Sequence, residues 1–237
     1  MALKTVLFDL DGTLLPMDQD TFANSYFAEL SKKLSPLGYE PKELVKTIWQ
    51  GTAAMVTNDG SKTNEQAFWD LFVSKYGDKV LKDKPIFDKF YENEFENVKS
   101  VCGYNKNAKE CINAVKELGL KTALATNPIF QGVATKARIN WAGLCESDFD
   151  FYTTYQNSRF CKPNLNYYLD VVKSLNVLPE ECLMVGNDVE EDMIAKELNI
   201  NVFLITDCLI NKKCKDISVF PNGNLSDLIE FIKSDLL

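Results

Sequence analysis

The sequence predicts an α/β protein in which a parallel sheet lies between two layers of helices, with an all-helical insertion after the first strand. Two observations support this fold class. From residue 107 onward, segments with helical periodicity alternate with short apolar segments typical of buried strands. Between residues 16 and 100 the periodicity is helical throughout. We therefore expect a core domain formed by residues 1–16 and 101–237 and a helical domain formed by residues 17–100.

The first predicted strand ends in two closely spaced carboxylates. The apolar residues 6–8 are followed by Asp9, Asp11 and Gly12. Because side chains alternate along an extended chain, Asp9 and Asp11 should lie on the same side. Their repulsion is relieved when a divalent cation lies between the oxygens, or when one carboxyl keeps its proton and serves as an acid. Gly12 permits a tight turn that directs backbone N–H groups toward an anion.

Four amphipathic helices are predicted in the insertion. Apolar side chains, many of them aromatic, recur there at helical spacing, which is more typical of a helical bundle core than of a cofactor site. Thr63 and Gln66 have the spacing of a capping box and should begin the third helix. The segment from Gly51 to Lys62 is interpreted as a loop between two helices, where residues that determine substrate specificity could lie.

The remaining elements alternate along the chain. Strands are predicted at 120–125, 150–154, 182–185 and 202–205, and helices at 108–118, 130–141, 165–175, 189–198 and 225–232. This order is typical of a Rossmann-like, three-layer core. In such sheets, ligands bind beyond the carboxyl ends of the strands, at a topological switch point.

Composition excludes several functional classes. The 237 residues carry a net charge of −8, which disfavours nucleic acid or a membrane surface as partner. Histidine is absent, so Ser-His-Asp and Cys-His catalysis are excluded, and any metal should be a hard cation bound by oxygen. Seven cysteines without a Cys-x-x-Cys pair indicate reduced thiols. Without an apolar stretch of membrane-spanning length, we expect a cytoplasmic protein; the oligomeric state cannot be predicted.

Three further positions carry residues suited to an anionic ligand. Thr126 and Asn127 follow the strand at 120–125 and could bind a phosphoryl group. Lys162, followed by Pro163, precedes a predicted helix and could neutralise negative charge. The strand at 182–185 leads into Gly186, after which come Asn187, Asp188 and Asp192.

Taken in order, these motifs resemble those of the haloacid dehalogenase superfamily, most of whose members are phosphatases. Asp-x-Asp-Gly-Thr at residues 9–13 matches its first motif, Thr126 its second, Lys162 its third and the acidic segment after Gly186 its fourth. The resemblance implies that residues 17–100 form a helical cap of the C1 type, inserted after the first motif. The hinge would lie near residues 16–19 and 100–105.

The resemblance also implies a Mg²⁺-dependent phosphatase that acts on a small phosphorylated metabolite. By the family's motifs, Asp9 would be the nucleophile, Asp11 the general acid and base, and Lys162 the cation that neutralises the phosphate. Thr126 and Asn127 would bind the phosphate with Lys162. The metal ligands would be Asp9, Asp11 and Asp188.

The fourth motif departs from the commonest family pattern, because Asn187 stands directly after the glycine where an aspartate is usual. Asp188 is the predicted ligand, Asn187 the alternative, and Asp192 would support Lys162 or a metal-bound water. Two other functions remain open: a phosphomutase of the same superfamily, and a non-catalytic regulatory protein that binds a phosphorylated ligand. Asp11 argues against a dehalogenase, whose first motif lacks the second aspartate.

Overall fold

The computed structural model describes residues 2–236. Its helices and strands follow the predicted alternation closely. The helices are α1 (Gln19–Leu34), α2 (Pro41–Val56), α3 (Asn64–Tyr76), α4 (Lys79–Glu92), α5 (Asn107–Glu117), α6 (Gly132–Trp141), α7 (Leu165–Leu175) and α8 (Leu225–Phe231). The strands are β1 (Thr5–Phe8), β2 (Lys121–Leu124), β3 (Phe151–Tyr152), β4 (Cys182–Gly186), β5 (Asn201–Ile205) and β6 (Asn222–Gly223).

The six strands form one parallel sheet in the order β3-β2-β1-β4-β5-β6, which confirms the predicted fold class. Phe8, the last residue of β1, is paired with Leu124 of β2 and Val185 of β4. The chain runs from β1 outward to β2 and β3, then returns to the other side of β1 for β4 and β5. The segments that follow β1, β2 and β4 therefore meet at one edge of the sheet, at a topological switch point.

Helices cover both faces of the sheet. The side chains of Val6 and Phe8 pack on one face in a cluster that includes residues of α5 and α8. Leu7 points to the other face and belongs to a second cluster with residues of α7. This alternation along β1 makes the sheet the middle of three layers and buries all four residues of the strand.

The helical insertion leaves and re-enters the core at neighbouring points. The N–H of Gly103 donates to the carbonyl of Pro16 at 2.7 Å, and Met17 and Cys102 form an antiparallel bridge. Between these connections lie α1 to α4 and a 3-10 helix over Glu94–Val101. The four predicted helices are present, and Thr63 caps α3 through the predicted capping box with Gln66.

The start of α3 fastens the insertion to the core. The N–H of Asn64 donates to the carbonyl of Ser158 at 2.8 Å, and the N–H of Glu65 donates to the carbonyl of Tyr155 at 2.9 Å. The fully buried Asn64 side chain donates to the carbonyls of Pro128 and Phe160. Because these amides and carbonyls have lost contact with water, separating the two parts would leave polar groups unpaired. The insertion is therefore held over the carboxyl ends of the strands.

One predicted helix is absent as such. Residues 189–198 were expected to be α-helical, but turns follow Asp188 and only a 3-10 helix forms, over Met193–Leu198. The cause is the Asp188 side chain, whose Oδ1 accepts from the N–H groups of Glu190 and Glu191 at 2.7 and 2.9 Å. Such side-chain bonds compete with helical ones. Within residues 2–236, no helix is both long and apolar enough to cross a bilayer.

Candidate active site

Asp9 lies directly after β1 and is almost completely buried, at 7% exposure. One carboxylate oxygen, Oδ1, accepts from Nζ of Lys162 at 2.9 Å. The other, Oδ2, accepts from the hydroxyl of Thr13 at 3.1 Å. A buried carboxylate is costly unless it is paired and hydrogen-bonded, and Asp9 meets both conditions. These contacts hold Asp9 in one orientation at the sheet edge.

Lys162 links two elements of the core. Its ammonium group, 1% exposed, contacts Asp9 and also Oδ1 of Asp192 at 2.6 Å. Burial disfavours the charged amine, but the charges of Asp192 and Asp9 outweigh it and hold the pKa of Lys162 well above its usual range. Gly186 makes room for this arrangement, because a Cβ there would overlap the Asp192 side chain. The expected partnership of Asp192 with Lys162 is present in the structure.

Asp11 forms an ion pair with Arg138. Nη1 of Arg138 donates to Oδ2 of Asp11, while Oδ1 of Asp11 is buried and has no hydrogen-bond partner among the described residues. Burial raises the pKa of Asp11 above its usual value; Asp9 adds to this effect, whereas Arg138 and Lys162 oppose it. The result is a carboxyl group with one oxygen anchored and the other free, in the wall of a cavity.

Sequence reasoning missed Arg138. Its guanidinium is completely buried, lies 4.5 Å from the ring centroid of Phe130 and also donates from Nε to the carbonyl of Ala134. A signal existed in the composition: only Arg138 and Arg159 are arginines among 26 basic residues. A chain that uses lysine for its surface cations places arginine where a flat, multidentate donor is needed. Arg159, by contrast, forms an exposed pair with Asp170.

Replacement of Arg138 by methionine is expected to destabilise the protein by about 3 kcal/mol, because Asp11 would be left buried without its partner. The double variant Arg138→Met with Asp11→Asn should recover a large part of this loss. Arg159→Met is the matched control and should cost less than about 0.5 kcal/mol, since its ion pair is exposed. Urea unfolding at pH 7 measures all three; equal losses for the two arginine variants would contradict the assigned burial effect.

Two tyrosines hold the segments that carry the other site residues. The carbonyl of Thr126 accepts from the hydroxyls of Thr153, at 2.6 Å, and Tyr167, at 2.9 Å. The next residue of α7, Tyr168, donates to the carbonyl of Glu191 at 2.6 Å. Pro163 lies outside α7, which begins two residues later with Asn164 as its N-cap.

Asn127 faces the acidic segment after β4. Its Nδ2 donates to Oε2 of Glu191 at 3.0 Å, and its Oδ1 is buried without a partner among residues 2–236. Glu191, in the acidic segment after Gly186, also lines the cavity beside Asp9. Burial raises the pKa of Glu191, an effect that Lys162 opposes. This position of Glu191 could not be predicted, because a Glu at a helix start is common.

Asn187 and Asp188 occupy different environments. The hydroxyl of Thr13, which contacts Asp9, also lies 3.0 Å from Oδ1 of Asn187, and Nδ2 of Asn187 donates to the carbonyl of Cys208 at 2.6 Å. Gly12, with a φ of +88°, leaves room for the Asn187 side chain, because a Cβ at residue 12 would overlap it. Oδ1 of Asp188 accepts from the N–H of Glu190 in the turn that follows, and Asp188 also lines the cavity. One hydroxyl thus links Asn187, the alternative ligand, to Asp9.

The polar groups at this edge suit a hard cation. Asp9, Asp11, Asn187 and Asp188 all offer oxygen atoms, and Oδ1 of Asp11 is a buried oxygen without a partner in the described part of the chain. Across that same part, no group of three or more acidic or cysteine side chains forms a ready metal cluster. A cation here would therefore depend on amide or main-chain oxygens as well as carboxylates.

These residues line the end of a cavity of about 360 Å³ between the strand ends and the insertion. Its polar end includes Asp9, Asp11, Thr126 and Asn127, and α1 to α4 contribute the rest of the wall together with residues near Phe130. The segment from Gly51 to Lys62, predicted as a loop, is partly helical and lines the cavity only through its helical part. Its first part belongs to α2, and Thr52 and Val56 of that helix line the cavity rather than the loop residues beyond them.

Known hydrolases resemble this chain over most of its length. The model of the haloacid dehalogenase-like hydrolases matches residues 3–197. The chain is 24% identical to YhcW of Bacillus subtilis, provisionally named as a phosphatase, over 86% of this chain and 83% of that protein. It is 25% identical to a phosphoglycolate phosphatase of Nitrosospira multiformis, over 86% of this chain and 84% of the relative.

A similar solved structure is that of a HAD phosphatase from Thermococcus onnurineus, with a TM-score of 0.61 at 18% identity, covering 99% of this chain and 100% of that one. At this identity the likeness concerns the fold. The family model spans most of the chain and includes every predicted site residue from Asp9 to Asp192. The chain belongs to the haloacid dehalogenase-like hydrolases.

Proposed function

We propose that the protein is a Mg²⁺-dependent phosphatase that hydrolyses a small phosphorylated metabolite through an aspartyl-phosphate on Asp9. The observation that carries the proposal is the pairing of buried Asp9 with Lys162 beside a second carboxyl, Asp11, at the closed end of the cavity. The phosphatase names of two relatives support the reaction class. A strand end rigidly fixed by the sheet suits a nucleophile that must be aligned with phosphorus.

In the first step, a carboxylate oxygen of Asp9 attacks phosphorus and the bond to the leaving oxygen breaks. Because Asp9 is anchored through Lys162 and Thr13, its orientation costs little at the moment of reaction. The ammonium group of Lys162 offsets the repulsion between the Asp9 carboxylate and the phosphate.

Asp11 would act as the general acid in the first step and as the general base in the second. Its free oxygen, Oδ1, would protonate the leaving alcohol and then accept a proton from the water that hydrolyses the aspartyl-phosphate. The raised pKa of Asp11, caused mainly by burial, favours the protonated form that the first step needs. Arg138 holds the opposite oxygen and so positions the acid without contacting the substrate.

The remaining polar groups would bind the phosphoryl oxygens. Thr126 and Asn127 contribute a hydroxyl and an amide at the same end of the cavity. The oxygen donors that would hold Mg²⁺ are Asp9, the main-chain carbonyl of Asp11, and the pair Asn187 and Asp188. When bound there, the ion supplies positive charge between the two anionic reactants. The insertion, acting as a cap, would exclude bulk water.

The proposal is tested by phosphate release from p-nitrophenyl phosphate with Mg²⁺. We expect hydrolysis that stops on chelation with EDTA and returns when Mg²⁺ is added back. The substrate class can then be identified with a panel of sugar phosphates, nucleotides and phosphorylated acids. The panel includes phosphoglycolate because of the Nitrosospira relative. Release of phosphate without an isomerised product separates a phosphatase from a phosphomutase. Absence of hydrolysis with every ester would contradict the proposal.

The fourth motif yields a further prediction. Asn187→Asp is expected to lower the Mg²⁺ concentration for half-maximal activity by about tenfold, because a carboxylate replaces an amide among the oxygen donors. Asp188→Asn should raise that concentration. Titration of activity with Mg²⁺ measures both. An unchanged requirement in Asn187→Asp with a raised one in Asp188→Asn would assign the ligand role to Asp188 alone.

A further inference from the structure

The lining of the cavity combines polar and apolar side chains. Its polar end holds Asp9, Asp11, Thr126 and Asn127, and the two buried atoms in its lining that lack a partner, within the described residues, are Oδ1 of Asp11 and Oδ1 of Asn127. Most of the remaining lining consists of aromatic and aliphatic side chains, six of which we call the apolar wall. The apolar wall consists of Phe22, Tyr26, Phe27, Trp49, Val56 and Phe130.

Several polar atoms of the aromatic residues around the cavity are paired with one another. The hydroxyls of Tyr26 and Tyr91 are 2.6 Å apart and bond to each other. Nε1 of Trp69 donates to the hydroxyl of Tyr155 at 3.4 Å. Apart from Thr126, Asn127 and Asn187, the Asn, Gln and Thr side chains of the lining are Gln19, Thr52 and Gln131.

Charge in the lining is almost entirely negative. Besides Asp9, Asp11, Asp188 and Asp192, the acidic residues of the lining are Asp20 and Glu191, and the one basic side chain found among the described lining residues is the exposed Lys212. Lys162 and Arg138, the two buried cations, are already paired with aspartates. Within the apolar wall, a second negative group on a substrate would lack a positively charged partner, because Lys212 is exposed to solvent, and this is unfavourable.

Two apolar residues at the opening of the cavity remain in contact with water. Trp49 is 55% exposed and Val56 is 41% exposed, and both belong to the lining. The ring of Trp49 contacts that of Phe27 at 5.4 Å between centroids, so one of its faces is already packed. Exposed apolar surface continuous with a cavity is a feature of ligand-binding sites.

We propose that the substrate is a phosphate monoester whose leaving group is apolar and carries no second negative charge, and that the apolar wall binds that group. The proposal rests on the proposed function and specifies its substrate class. Hydrolysis consumes one water, breaks the phosphorus–oxygen bond to the leaving group and yields a hydrophobic alcohol and inorganic phosphate. The cavity volume of about 360 Å³ is within the range of small-ligand sites.

The test compares esters that differ in one property at a time. Hexyl phosphate and ethyl phosphate differ in apolar length, and hexyl phosphate and 6-(phosphonooxy)hexanoate differ in a terminal carboxylate. We expect kcat/KM for hexyl phosphate to exceed that for ethyl phosphate by at least about tenfold. It should exceed that for the carboxylated ester by at least about a hundredfold.

A variant that introduces a positive charge should weaken the preference for hexyl phosphate over the carboxylated ester. Thr52→Arg places a cation in the cavity lining and should lower the ratio of hexyl to carboxylated ester by at least about tenfold. Ala53→Arg is the matched control: the next residue of α2 is exposed and lies outside the lining, so the ratio should stay within about twofold of wild type. If Thr52→Arg fails to fold, as judged by circular dichroism, the wild-type comparison decides alone.

The outcomes separate this inference from the proposed function. Asp9-dependent hydrolysis of p-nitrophenyl phosphate without a preference for hexyl phosphate over the carboxylated ester would overturn the inference and leave the phosphatase proposal standing. Equal shifts of the ratio in Thr52→Arg and Ala53→Arg would also overturn it. Failure to hydrolyse any ester in an Asp9-dependent way would overturn both.

Discussion

Asp9→Asn is expected to lower the rate of phosphate release by at least about 10⁴-fold, because removal of a nucleophile abolishes the covalent route. The amide has nearly the same shape as the carboxylate but cannot form an aspartyl-phosphate. Its oxygen can still accept from Lys162 or Thr13, so we expect the fold to survive. The measurement is phosphate release from p-nitrophenyl phosphate at saturating Mg²⁺, together with thermal unfolding.

The matched control is Asp70→Asn, which makes the same chemical change at an exposed position. Asp70 pairs with Lys62 on the surface of the insertion and is 65% exposed, so activity should stay within about twofold of wild type. Mass spectrometry after rapid acid quenching should detect phosphate on Asp9 in the wild type only. More than a tenth of wild-type activity in Asp9→Asn would exclude this residue as the nucleophile.

The strand ends could be predicted from the sequence because parallel strands present their carboxyl ends at one edge. Asp9, Thr126 and Asn187 each follow a short apolar segment, and the sheet order places those segments side by side. The positions of these three residues could therefore be predicted without knowing the conformations of the loops. Lys162 lies ten residues after the end of β3, so it was predicted from the Lys-Pro pair before α7 and not from a strand end.

Arg138 could not be placed in the same way. It lies inside α6 rather than at a strand end, and it reaches Asp11 only because the rotation of that helix directs a long side chain inward. Helical rotation is set by packing against the sheet and the insertion, including the contact with Phe130. Periodicity alone suggests a core-facing position for apolar residues, not for a cation.

The segment after β4 shows a second limit. The spacing of apolar residues at 189–198 favours an α-helix, but Asp188 accepts two N–H bonds and Asp192 turns back toward Lys162. Local and tertiary bonds thus override helical periodicity at the position where the site needs both carboxylates. A deviation from local preference coincides here with the proposed chemistry.

Lys162→Met is expected to reduce phosphatase activity by at least about 10³-fold and to destabilise the protein by about 3 to 5 kcal/mol. Lys162 lies between Asp9 and Asp192, and all three are nearly completely buried. Without the ammonium group, two buried carboxylates would repel each other and lack a counter-charge. Urea unfolding and phosphate release measure the two effects, and Lys173→Met on the exposed face of α7 serves as control.

The double variant Lys162→Met with Asp192→Asn separates stability from catalysis. Removing one of the two unpaired carboxylates should recover more than half of the lost stability, because a single buried charge remains. Activity should not recover, since neither methionine nor asparagine can neutralise Asp9 and the incoming phosphate. If stability and activity return together, Lys162 acts only as a structural partner of Asp192. If Lys162→Met is as stable as Lys173→Met, the three charges are not coupled as the structure indicates.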